Sequence, residues 1–268
     1  MTAQVDTTDP ARELVDACIA LNRSSAEQGY IFLAKEFGVQ AWSTEFFQVI
    51  SAVNARIDLT KEIVSGIETD SDIKDHAIQH LAAIRNAFTQ SGLMNAWDNA
   101  VKNFINEANT TPIKMLSMTI RKDYGYPRLS EVDAREIVAA VDELIGWLNE
   151  MQLRESDFIR QAIIDGLIQF RFRLQRLKWL GTGYAISSLR DVISAYLILE
   201  QGVHDPNLTP DAAAVIKKTG TLISSAFQKV GVAKSVFETA GWGLKMYGAT
   251  QIAIATKQGL SGFLAHMP

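Results

Sequence analysis

Cysteine is almost absent from this chain of 268 residues, which carries 1, Cys18. A single thiol excludes an internal disulfide framework and any zinc site built from several cysteines. Proline is scarce too, at 6, which excludes a collagenous or proline-rich chain. Charge of neither sign dominates: the formal net charge is -4 and the pI is near 5.6. That balance argues against a dedicated nucleic-acid binder. Long apolar runs are missing as well. Residues 179–189 and 246–256 are the longest uncharged stretches that read as apolar, and a bilayer-spanning helix needs about twenty residues. The opening MTAQVDTTDP has no basic n-region and no apolar h-region. A cytoplasmic chain without a transmembrane span is therefore expected. The sequence holds no Gly-x-Ser-x-Gly, no Walker-type loop, no dinucleotide fingerprint and no aspartate-rich DDxxD-like cluster.

What is present is apolar residue in abundance, 47%, enough to bury a real core. It recurs at steps of three and four nearly everywhere, without strand-like alternation bounded by hairpin turns. The expected fold is all-α, a multi-helix bundle of about eight to ten helices. Asp9 and Pro10 read as an N-cap and first helical residue, leading a face of Leu14, Cys18 and Leu21. Later helices carry Phe46 to Ile67, Ile73 to Phe88, Trp97 to Ala108, Ile113 to Ile120, Ile137 to Leu153, Ile159 to Leu177 and Leu189 to Leu199. Breaks are expected at residues 69–72, at Gly92, at residues 109–112, at residues 122–130, at Gly181-Thr182-Gly183 and at residues 204–210. Ser130 with Asp133 resembles a capping box.

The last quarter of the chain has its own character. Ile216, Ile223, Val230, Phe237 and Leu244 keep a seven-residue apolar repeat. Thr219, Ala226, Ala233, Ala240 and Tyr247 follow each by three. Large followed by small makes a narrow seam for close helix packing. A long amphipathic helix is expected from Pro210 to about Thr256, with Gly241, Gly243 and Gly248 as a hinge. Residues 206–268 hold six lysines and two acids, so residues 1–205 carry a balance of -8. The expectation is an acidic helical bundle over 1–205 and a Lys-rich helix over 206–268 packed on it, within one structural domain. Lys218, Lys229, Lys234 and Lys245, with Trp242 between the last two, also fit a helix lying on a lipid surface.

Three other groups carry candidate chemistry. Asp72, His76 and His80 are four apart, so on a helix they share a face where a metal could bind. Arg171, Arg173, Arg176 and Lys178 form a basic run interleaved with Phe170, Phe172 and Trp179. It reads either as an anionic-lipid or nucleic-acid patch, or as a core helix with Phe170, Leu174 and Leu177 inward and its basic residues paired with the acidic N-terminal helices. Tyr124, Tyr126 and Arg128 make an aromatic turn, a recognition loop or one that packs back on the core. No catalytic residue is assigned, and no cofactor. The leading expectation is a non-catalytic helical protein that binds a protein partner or a second copy of itself. The alternative is a membrane-active, lipid-binding or pore-forming helical protein. A metalloprotein using His76 and His80 is the third reading.

Overall fold

A computed structural model describes residues 6–151, 157–189, 192–193, 195–196 and 210–229. The chain is all-α, with eleven helices among the described residues. The strands there are the two-residue β1 (Thr7–Thr8) and β2 (Tyr126–Pro127), which pair with each other. The chain divides into two compact units. The first comprises Asp6–Tyr126 and Lys178–Gly181, and the second Pro127–Leu177 and the residues from Thr182 onward. No helix among the described residues is long and apolar enough to cross a membrane.

The first unit begins as its capping signal dictates. The Asp9 carboxylate accepts from the backbone N–H of Arg12 at 2.9 Å, and Pro10 opens α1 (Pro10–Leu21). Leu14, Cys18 and Leu21 are buried, as their common face requires. α1 packs on α7 (Glu107–Tyr124) and α3 (Thr44–Gly66), while α4 (Ser71–Asn86) closes over both α3 and α7. α2 (Gly29–Phe37) has no counterpart in the sequence reading. Its N-terminus has no side-chain cap, and it is only nine residues long, so neither start signal nor sustained period announces it. It packs with α5 (Gln90–Met94) and α6 (Trp97–Asn103). Trp97 is the central large side chain: it stacks on Phe32 at 5.1 Å and donates its indole N–H to the carbonyl of Leu21 at 3.0 Å.

The break expected at residues 109–112 falls earlier. Asn106 caps α7 by accepting from the N–H of Asn109 at 3.0 Å, and the helix runs through Pro112. Pro112 lacks one N–H of the ladder. The burial of Ile113, Leu116 and Ile120 beyond it holds the helix together.

In the second unit, Ser130 caps α8 (Glu131–Glu150) as the capping-box signal predicts. α9 (Asp157–Leu174) packs along α8, and Arg160 donates to the carbonyl of Leu148 at 2.8 Å. α10 (Leu177–Ser187) is kinked at Gly181, with φ 76° and ψ 160°. The single break expected at the paired glycines is thus a kink there, with a separate interruption between Leu174 and Leu177. Pro210 starts α11 (Pro210–Lys229), which packs on α8. Val215, Thr219, Leu222, Ile223 and Ala226 are all buried in this unit's core with Val141, Leu144 and Phe170. Over α11 the expected seam is covered by protein. Its continuation through Val230, Phe237 and Leu244 lies outside the described residues.

Candidate functional site

Sequence reasoning passed over the segment between α2 and α3. Gly38 ends α2 in the left-handed region, and Ser43 caps α3 by accepting from the N–H of Phe46 at 3.1 Å. Between them the N–H of Ser43 bonds the carbonyl of Gln40 at 3.2 Å, closing a turn with Trp42 in its third position. Trp42 has φ 63°, the one non-glycine residue with positive φ among the described residues. Glycine or asparagine is usual at such a place. Holding a bulky residue there costs about 1–3 kcal/mol.

Ring contacts offset that strain. Trp42 lies 4.7 Å from Tyr30, 5.7 Å from Phe46 and 5.8 Å from Phe47, centroid to centroid. Each such pair contributes about 0.5–1.5 kcal/mol beyond its buried area. Phe46 is fully buried and anchors the cluster, whereas Trp42 is 42% and Phe47 51% exposed. The result is an aromatic patch on a rigid footing. The ionised groups of α2 are compensated: Lys35 pairs with Glu27, and Glu36 with Arg23. Glu45, in the first turn of α3, is favoured there by the helix dipole. The density of aromatic residues between Tyr30 and Phe47 was the available signal.

The basic run is occupied by its own surroundings. Arg171 pairs with Asp142 of α8 at 2.6 Å. Arg173 lies over the Tyr184 ring at 4.4 Å, and Arg176 over Phe172 at 4.0 Å. Lys178, in the first unit, lies over Trp179 at 4.4 Å. Phe170 and Leu174 face the core. Arg171 thus meets an acid of α8, while Arg173, Arg176 and Lys178 each lie over an aromatic ring. Tyr126 likewise packs inward, buried, donating its hydroxyl to Glu13 at 2.7 Å.

The two described lysines of the C-terminal series both reach α8. Lys218 sits over the Trp147 ring at 4.3 Å, and Lys229 bonds Asp133 at 3.3 Å and also Glu136. Eleven residues on α11 thus span the stretch of α8 from Trp147 back to Asp133, which fixes the two helices antiparallel. The hydrogen bond from Ser130 is the main cause that holds the Asp133 carboxyl below the ordinary range, with Lys229 adding to it. The bond to Glu136 is the main cause that raises Lys229. Lys234, Trp242 and Lys245 lie outside the described residues.

Asp72, His76 and His80 all belong to α4. Asp72 and His76 are exposed and His80 is half-buried. Nδ1 of His80 meets Oδ1 of Asn109 at 2.9 Å. Among the described residues no group of three or more His, Cys, Asp or Glu side chains is placed to hold a metal ion. Cys18 is buried, and burial pushes its thiol up to about 12, against a smaller lowering by the charge of Arg56.

Comparison with protein-family models, with curated proteins and with solved structures finds no match to this chain.

Proposed function

We propose that this chain is a non-catalytic helical protein that works by association, and that the Trp42 patch joins it to a second copy of itself. The observation that carries the reading is a tryptophan held in a left-handed conformation and left 42% exposed beside a half-exposed phenylalanine. Exposed aromatic clusters on a rigid base are the usual anchors of protein interfaces. Rings also pair with rings, edge to face, so the patch is complementary to its own image across a two-fold axis. α2 brings no uncompensated charge to oppose a like surface.

Sedimentation velocity on the full chain over a wide concentration range tests this. The intact chain is expected to dimerise with concentration. Trp42→Gly combined with Phe47→Ser is expected to stay monomeric, since glycine suits the backbone at position 42 and leaves the fold intact. Met115 and Met118 form another exposed apolar pair, 73% and 78% exposed on α7. Their double serine variant is expected to dimerise like the intact chain. A monomer at every concentration, or a dimer undiminished by the Trp42 and Phe47 changes, overturns the reading.

A further inference from the structure

α4 carries His76 and His80 four residues apart. At that spacing two side chains are neighbours on one face, about 5–6 Å between their Cβ atoms. The nitrogen–metal distance for imidazole is about 2.0–2.1 Å, so two such rings reach one ion between them. The orientation of His80 is set by a second layer of contacts. Asn109 donates its side-chain N–H groups to the carbonyls of Asn103 at 3.2 Å and Phe104 at 3.0 Å. Its nitrogen is therefore turned to the backbone, and its Oδ1 is left to face His80. An amide oxygen only accepts, so Nδ1 of His80 carries the proton and donates.

Nε2 is therefore the ring nitrogen left to offer a lone pair to a metal. That atom makes no hydrogen bond to a described residue, and the side chain is half-buried rather than enclosed. Donation from one ring nitrogen to a fixed oxygen, with the other nitrogen presented outward, is how metal-ligating histidines are oriented. His76, exposed on the preceding turn and without a hydrogen bond to a described residue, supplies a second nitrogen. Asn106 steadies the arrangement by capping α7 at the N–H of Asn109.

We infer that His76 and His80 form a two-nitrogen site for a divalent first-row transition ion, with water completing its coordination and Asn109 as the positioning residue. Imidazole donors favour copper, nickel and zinc over calcium or magnesium, and copper binds most tightly in that series.

Copper(II) added to the full chain tests this. The chain has 4 histidines, so the background variant His204→Gln with His266→Gln leaves only the α4 pair. That background is expected to bind one copper with two nitrogens resolved in the electron paramagnetic resonance spectrum. Losing one arm of a two-point attachment costs about a hundredfold in affinity, so His76→Ala and His80→Ala are each expected to weaken binding by that order. Asn109→Ala, checked for retained helix content by circular dichroism, is expected to weaken it about tenfold. Copper affinity unchanged in His76→Ala and His80→Ala, or a spectrum showing a single nitrogen in the background variant, overturns the proposal.

Discussion

A Cβ placed on Gly181 would fall 2.2 Å from Oε2 of Glu13 and 3.0 Å from Nη2 of Arg56. Neither group can withdraw freely. Glu13 is buried and accepts the Tyr126 hydroxyl, while Arg56 is buried and donates to the carbonyl of Trp179. The backbone at Gly181 also has φ 76° with ψ 160°, a region essentially open only to glycine. Gly181→Ala is therefore expected to destabilise the protein by at least about 2 kcal/mol, with backbone conformation alone contributing about 1–3 kcal/mol. Urea unfolding measures this, and an unchanged midpoint would show that the 178–181 segment is not held as described.

The Cys18 thiol is expected to be inert in the native state. Its environment is apolar, and only the charge of Arg56 opposes the rise in its pKa to about 12. Thiolate is the reactive form, and at neutral pH it is negligible here. An alkylating reagent should label the native chain only as fast as the chain opens, and label it promptly in denaturant. The sign of the linkage follows. The folded pKa lies above the unfolded one, so stability from this group is intact below the ordinary thiol pKa and declines as pH rises toward 12. Rapid labelling of native protein would refute the placement of Cys18.

The elements legible in sequence are those with an explicit start and a sustained period. Asp9-Pro10 and Ser130 each cap where expected, and α3 and α8 bury the stripes their spacing prescribes. The seven-residue repeat made the apolar seam of α11 readable, but not whether protein or lipid covers it. What escaped reading depends on contacts distant in sequence. α2 is stabilised by its neighbours α5 and α6 rather than by its own pattern. Lysines eleven apart read either as the wet sides of a core helix or as a lipid-facing row. Only Trp147, Asp133 and Glu136 distinguish these for Lys218 and Lys229. The strain at Trp42 has no signature in composition, since tryptophan is rare in that backbone region. The brace on His80 comes from Asn109, twenty-nine residues away.

The start of α8 should respond to acid in a defined direction. Ser130 accepts from the N–H of Asp133 at 3.0 Å and donates to its carboxylate. The latter bond is the largest cause of the lowered Asp133 pKa. A carboxyl with a depressed folded pKa contributes stability above its unfolded pKa and loses it as pH falls through the folded value. Ser130→Ala removes both bonds. The capping part, about 1 kcal/mol, is independent of pH in this range. The carboxylate part is not. The gap in stability between the intact chain and Ser130→Ala is therefore expected to be widest near neutral pH. It should narrow toward the capping contribution below the Asp133 pKa. Thermal melts across the acid range read this directly, and a gap that widens on acidification would contradict it.

Thr219 sits in the α11 seam, fully buried, and its Oγ1 has no hydrogen-bond partner among the described residues. Sequence spacing called for a small residue at this position, and threonine satisfies the volume at the cost of a hydroxyl. Threonine often satisfies its own hydroxyl on the carbonyl one turn back, as Thr221 does on Lys217 at 2.9 Å. Thr219 makes no such bond among the described residues, and it shares its buried face of α11 with Val215, Ile223 and Ala226. Leaving a buried hydroxyl unpaired costs about 1–3 kcal/mol. Valine has nearly the same shape and no polar atom, so Thr219→Val is expected to stabilise the protein by about 1 kcal/mol, with packing strain taking back the remainder. Thr219→Ser keeps the hydroxyl and removes the methyl, and is expected to destabilise. Chemical denaturation of the two variants beside the intact chain orders them. If valine proved worse than serine, the hydroxyl would be bonding a group in the core, and the seam would be polar at its centre rather than dry.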